Sequence, residues 1–307
     1  LIYRPQRLLL PLLGFFMAVS APLAASAKVK VVATLPDLGA VAREIGGEHV
    51  EVTVLASEVQ DPHYVDARPS LLLPLRDADL LIVNGLELEV GWLPNLLTNA
   101  RNGDIQQGGN GWVDASTVVT RLQVFQPDRS RGDVHPGGNP HYMYDPVSVL
   151  KVAALIARRL GAVDPKNAAA YAEKAKRFDK KLRFIINAEA KKFAKLPAER
   201  RNIVGYHMSL AYLNRWLGLK TIMTMERRPG IPPTPGHVGD VLRRMKADKI
   251  KVIVQEPWYP RKASQTLAKL TGGAVAFIPG GTRFRKGETY IMRVRRTAKV
   301  IYDALSK

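Results

Sequence analysis

From Lys28 onward, short runs of β-branched and apolar residues alternate with longer segments whose apolar positions recur every three or four residues. This is the rhythm of strands and helices laid down in turn. Val29 to Thr34, Val50 to Leu55 and Leu80 to Asn84 read as strands, with helices near Leu38 to Ile45, Pro69 to Arg76 and Trp92 to Ala100. Two Gly- and Asn-containing stretches, Asn102 to Gly111 and Asp133 to Asn139, read as surface loops. Asp145-Pro146 has the form of a helix cap followed by proline in the first turn, and predicts a helix to about Leu160. After Asp164-Pro165 a longer helical pattern runs to about Ala194, with Ala168, Tyr171, Ala175, Phe178, Leu182 and Ile185 on one face. A helix of about thirty residues spans roughly 45 Å, long enough to run along two lobes and restrict hinge motion. Beyond Pro197 the rhythm resumes, with strands at Ile203 to Tyr206, Lys220 to Thr224, Lys251 to Gln255 and Ala274 to Ile278. Helices near Leu210 to Leu217, His237 to Ala247, Pro260 to Leu270 and Tyr290 to Leu305 complete the pattern. The expected fold is α/β: two lobes (28–145 and 197–307), each a parallel-type sheet flanked by helices, joined by a long rigid helical region (146–196).

The first 27 residues change the picture of where such a chain resides. Arg4 and Arg7, an apolar run from Leu8 to Val19 and the small-residue ending Ala25-Ser26-Ala27 have the layout of a cleavable secretory signal. The apolar run is short for a membrane span. The expectation is a soluble periplasmic protein of about 280 residues, a size suited to two lobes. The sequence has no cysteine, which removes disulfides, thiolate metal ligands, cysteine nucleophiles and a lipid-modified cysteine from consideration. The formal charge is +19, and +17 without Arg4 and Arg7. The basic residues are spread along helices, as at Lys174, Lys176, Arg177, Lys180 and Lys181, in the manner of a solvated face. Nucleic-acid binding is not expected. Transient contact with a membrane surface or an acidic partner fits the surplus better in an exported chain.

Candidate chemistry rests on histidine. Of six histidines, His63, His141 and His207 each stand where the strand and helix pattern is interrupted, in Asp61-Pro62-His63-Tyr64, Asn139-Pro140-His141-Tyr142 and Gly205-Tyr206-His207. In the first two, the residue before proline is pushed toward an extended conformation, which presents the imidazole from a stiff loop. His63 follows a strand, His141 precedes a helix and His207 ends a strand. In open α/β sheets ligands bind beyond the carboxyl ends of strands, so imidazoles from both lobes are placed to converge on one metal ion. His135 reads as a solvent-exposed loop histidine with at most a transient part in metal capture, and His49 and His237 read as ordinary polar residues. Tyr64, Tyr142 and Trp258 are candidates to cover the cleft or simply to pack.

The segments Asp61-Pro62-His63-Tyr64, Asn139-Pro140-His141-Tyr142-Met143-Tyr144-Asp145-Pro146, His207-Met208-Ser209-Leu210-Ala211-Tyr212-Leu213 and Val254-Gln255-Glu256-Pro257 resemble the corresponding motifs of zinc and manganese solute-binding proteins of ABC transporters. The resemblance runs from about Lys28 to Lys307. It implies two α/β lobes joined by a rigid helix, a metal held between them, and delivery to a membrane permease by what is expected to be a monomer. It also implies that His63, His141 and His207 are the metal ligands. A histidine rather than a carboxylate at the third position favours zinc, with manganese as the other cargo to consider. Many relatives supply a further aspartate from the loop after the last strand, but Gly280 to Gly287 contains no acid. Glu256, Glu288 and water are therefore the alternatives for a fourth ligand. Glu256 is expected near the metal, holding a histidine or capping its loop, rather than bound to it. Two other classes stand beside transport: a zinc-dependent hydrolase with three histidines and a water, and a metal chaperone or adhesin on the same fold. The chain lacks a His-Glu-x-x-His helix and a dense carboxylate cluster, which weighs against the hydrolase.

Overall fold

The computed structural model describes residues 27–126, 132 and 134–307. The secretory signal expected over residues 1–27 thus falls, but for Ala27, outside the described residues. Among the described residues the strands form two parallel four-stranded sheets. The first contains β1 (Val29–Ala33), β2 (Val50–Val54), β3 (Leu80–Val83) and β4 (Trp112–Asp114) in the order β2-β1-β3-β4. The second contains β5 (Asn202–Gly205), β6 (Lys220–Thr224), β7 (Val252–Gln255) and β8 (Ala274–Phe277) in the order β6-β5-β7-β8. The two lobes therefore repeat one topology, each with its strand order reversing beside the first strand, where a crevice opens at the carboxyl ends. The strands β3 and β7 are buried throughout; β3 is a continuous apolar run and β7 is apolar up to its final Gln255, as a parallel strand covered on both faces requires.

Helices α1 (Pro36–Gly46), α2 (Leu72–Arg76) and α3 (Leu93–Ala100) cover the first sheet. Helices α6 (Ala211–Leu217), α7 (Pro235–Ala247), α8 (Arg261–Thr271) and α9 (Tyr290–Leu305) belong to the second. Between them run α4 (Pro146–Val163), capped by Asp145 at Val147 N, and the 27-residue α5 (Ala168–Ala194). Tyr171, Phe178, Leu182 and Ile185 form the buried stripe of α5, which packs on α1 and α4 toward one lobe and on α6 and α9 toward the other. The strand missing from the sequence reading is β4: three residues are too few to show a period, and its place is set by pairing with β3.

Direct bonds pin the lobes to each other. Arg43 on α1 donates to the carbonyls of Phe284 and Glu288 at 2.9 Å each, and Tyr290 N donates to Glu44 at 2.9 Å. Deeper in, Asp37 Oδ1 accepts from Thr282 N at 2.7 Å and from the Thr282 hydroxyl. Asp37 Oδ2 lies 3.5 Å from Arg293 Nε, and Arg293 is 2% exposed. Its guanidinium also stacks over Tyr144 and donates to the carbonyls of Met143 and Pro279. Moving the lobes apart would break the Arg293 contacts with Asp37, Tyr144 and Met143 together.

Candidate metal centre

The repeated Asx-Pro-His sequence builds the same turn twice. His63 N donates to Asp61 Oδ1 at 3.1 Å, and His141 N donates to Asn139 Oδ1 at 2.9 Å. In each case a side-chain oxygen bonds the amide two residues on, while proline holds the corner. The first turn is tied down by Trp92 Nε1, which donates to the Pro62 carbonyl at 3.0 Å. The second is tied to the other lobe, because Asn139 Nδ2 donates to the Met208 carbonyl at 2.6 Å. His207 leaves the end of β5 in extended conformation, just before the 3-10 turn Met208–Leu210.

These turns bring the three histidines together. Their ring centroids are 5.1 Å (His63 to His141), 5.5 Å (His63 to His207) and 5.3 Å (His141 to His207) apart, nearly an equilateral triangle. One ligand nitrogen from each lies within 4.8 Å of the others, and among the described residues no fourth histidine or carboxylate joins them at that spacing. Tetrahedral zinc with bonds of about 2.0–2.1 Å requires nitrogens about 3.4 Å apart, a contraction within reach of ring rotation. A cavity of about 20 Å³ lined by His135, Asn139, His141 and His207 adjoins the triangle, room for about one water or ion.

Carboxylates stand behind two of the rings. Asp61 Oδ1 lies 2.6 Å from His63 Nδ1, and Glu226 Oε2 lies 2.7 Å from His207 Nδ1. Each fixes a tautomer that turns Nε2 inward and makes it a better donor. His141 Nε2 is buried with no hydrogen-bond partner, the condition of a nitrogen kept for a metal. Burial, reinforced by the neighbouring imidazoles, holds the His141 pKa well below the ordinary value, so the ring is neutral and ready to ligate. For His207 burial acts downward too, but the hydrogen bond and charge of Glu226, with Glu256 and Asp61 beyond, outweigh it and raise the pKa. Burial raises the Asp61 pKa, yet its bond to His63 wins and the carboxyl lies below its usual range.

Glu256, at 1% exposure, follows β7 at the carboxyl edge of the second sheet, where its Oε1 accepts from the Ser209 hydroxyl and its Oε2 has no hydrogen-bond partner. Burial raises its pKa, offset in part by Ser209 and His207. It is near the triangle but outside it. Glu288 is excluded as a fourth ligand: it precedes α9, and its carboxylate is engaged by Arg296 at 2.8 and 2.9 Å and by Arg283 N at 2.6 Å. The Gly280 loop has no room for an acid at its start, because a Cβ there would fall 2.1 Å from the Trp258 ring and 2.6 Å from the Glu58 carbonyl.

One expectation is corrected. His135 is 8% exposed, not a solvent-facing loop residue, and stacks on His63 with centroids 5.4 Å apart. Of the two roles open to Tyr142 it takes packing: it is buried, with its hydroxyl on the Asn84 carbonyl. Tyr64 is 62% exposed. His49 and His237 take polar roles away from the site, on Glu48 and on the Thr224 carbonyl. Sequence reasoning missed Glu226 altogether. Its one local signal is an acid directly beyond the end of a strand.

Two lobes of like topology with a histidine-lined centre between them define a two-lobed ligand-binding protein. Residues 31–304 match the family described as zinc-uptake complex component A, periplasmic (ZnuA), and the chain belongs to that family. It is 25% identical over 283 residues to the manganese-binding lipoprotein MntA of Halalkalibacterium halodurans, covering 91% of this chain and 89% of that protein. It is 24% identical over 287 residues to the manganese ABC transporter substrate-binding lipoprotein PsaA of Streptococcus pneumoniae serotype 4, covering 91% and 90%. The fold resembles a crystal structure of ZnuA with a TM-score of 0.76 at 23% identity, over 90% of this chain and 99% of that one. It also resembles the Mn-bound periplasmic metal-binding protein of Candidatus Liberibacter asiaticus, with a TM-score of 0.74 at 23% identity, over 91% and 99%. The family is described as a component of an uptake complex and PsaA as a transporter's substrate-binding lipoprotein, so the hydrolytic alternative falls.

Proposed function

We propose that this chain is the exported substrate-binding component of an ABC metal importer. It captures a divalent transition metal, foremost zinc, on His63, His141 and His207, and hands it as a monomer to a membrane permease. The observation that carries the reading is the convergence of three imidazoles from both lobes, two of them backed by carboxylates. No chemistry is performed on the ion; it is cargo. Asp61, Glu226 and Glu256 surround the triangle with negative charge and draw a divalent cation inward, while the rings supply the bonds. The donor set supports zinc over manganese, because imidazole suits zinc and carboxylate oxygen suits manganese. The fourth position is taken by water, with Glu256 behind the histidines. Several relatives are named for manganese, so the choice of metal rests on these donors. Those relatives are named lipoproteins, and the proposed location of this chain is the periplasm.

The test is metal analysis of untagged protein followed by competition between zinc and manganese. Zinc is expected to displace manganese, and X-ray absorption of the zinc form to show three imidazole nitrogens and one oxygen. Substituting alanine at His63, His141 or His207 should weaken binding strongly with the fold retained by circular dichroism. Preference for manganese would overturn the choice of cargo, and unchanged binding in all three variants would overturn the site.

A further inference from the structure

Beyond the end of β3 the backbone takes an uncommon path. Gly85, Leu86 and Glu87 follow one another with φ of 78°, 53° and 64°. Glycine is required at the first, since a Cβ would fall 2.2 Å from Asp114 Oδ1. Leu86 and Glu87 carry side chains, and residues of this kind stay left-handed only where surrounding contacts over-determine them. Glu89 closes this segment back onto the residues at its start and onto Thr34. It is 5% exposed; its Oε1 accepts from the Thr34 hydroxyl and from Asn84 N, both at 2.6 Å, and its Oε2 accepts from Gly85 N at 3.1 Å. Burial pushes its carboxyl up to about 7 in spite of these bonds. A buried acid is a costly way to hold a loop.

What the knot holds is Asn84, a fully buried residue. Asn84 Nδ2 donates to the Pro140 carbonyl at 3.0 Å, and the Asn84 carbonyl accepts from the Tyr142 hydroxyl. Pro140 and Tyr142 are the two neighbours of His141. His63 and His207 each have a carboxylate on Nδ1, whereas among the described residues no carboxylate bonds the His141 ring. The direction of His141 must come from the chain around it, which Asn84 grips on one side through the Pro140 carbonyl and on the other through the Tyr142 side chain.

We propose that Glu89 is a positioning residue of the metal centre, acting through Asn84 on the turn that aims His141. The proposal rests on His141 being a metal ligand. Glu89 does not touch the metal. Its carboxylate accepts from donors on two sides, and a glutamine of the same shape can accept on only one, since its amide would face the other.

The experiment is a double-mutant cycle on zinc affinity in the full chain. Glu89→Gln is expected to weaken binding about 10-fold or more, in the range usual for groups behind a ligand. In a His141→Ala background the same substitution should cost less than about 2-fold, while in a His63→Ala background the loss of about 10-fold should persist. A merely structural role would lower affinity alike in both backgrounds, and that result, or no loss at all, overturns the proposal. Tyr142→Phe, which removes only the second grip, provides the same cycle should Glu89→Gln fail to fold; its loss must likewise vanish without His141. Tight zinc binding by the unmodified chain with additive losses would overturn the positioning role alone. Absence of metal binding by the unmodified chain would overturn the functional reading and this role with it.

Discussion

Removing the carboxylate behind His207 is the sharpest perturbation of the centre. Glu226 is 4% exposed, lies 2.7 Å from His207 Nδ1, and also accepts from Gly230 N at 3.0 Å. Glu226→Gln keeps the size of the side chain and can still accept from Nδ1–H, but it removes the charge. Glu226→Ala removes orientation as well. Partners of metal-bound histidines are typically worth about 10-fold to 100-fold in affinity, or about 1.4–2.7 kcal/mol. The glutamine variant is expected near the lower figure and alanine near the upper, which agrees with about 1.5–3 kcal/mol for a hydrogen bond to a charged group. The assay is competition for zinc against a chelator of known affinity, at fixed pH and ionic strength. Both variants should also release fewer protons on binding zinc near neutral pH, because without the carboxylate His207 no longer holds its proton so tightly. Affinities within about 2-fold of the unmodified protein for both variants would refute the argument, since an imidazole oriented by its charge partner cannot be indifferent to losing it.

Zinc affinity should rise with pH through the range just above the ordinary imidazole value and then level off. The raised pKa of His207 makes it the proton to be displaced, whereas His141 is already neutral. Calorimetry in buffers of different ionisation enthalpy should count about one proton released near neutral pH, and a count of zero would exclude this linkage. At the lobe interface, Arg293→Met should cost about 3–5 kcal/mol by leaving Asp37 buried without its cation. The double variant with Asp37→Leu should recover much of that loss, as read from denaturant midpoints; a single-variant cost below about 1 kcal/mol would show that the pair contributes little.

The alternation of apolar runs identified every strand except β4, and the long helical period identified α5, because those segments follow local rules of burial. The three histidines were legible for a similar reason: two sit in Asx-Pro turns whose conformation is dictated by their own side chains. Glu226, Gly280 and His135 were not, since their roles arise where separate segments meet. Nothing local distinguishes an acid after a strand that backs His207 from one that faces water. The glycine at 280 is explained by Trp258 and the Glu58 carbonyl, which come from elsewhere in the chain. His135 is buried because its loop folds onto His63, a contact between residues 72 positions apart.

The buried Asp37–Arg293 pair bears on how the cargo leaves. With α1 bonded to α9 and to the loop before it, the lobes have no cheap gaping state through which an ion could drift out. On the proposed three-histidine site, the residence time of the metal would then be set by how often one imidazole swings aside while the other two still hold. Escape becomes a ligand-exchange event, slow in free solution. It is hastened by whatever offers the ion a replacement donor at the moment a histidine lets go.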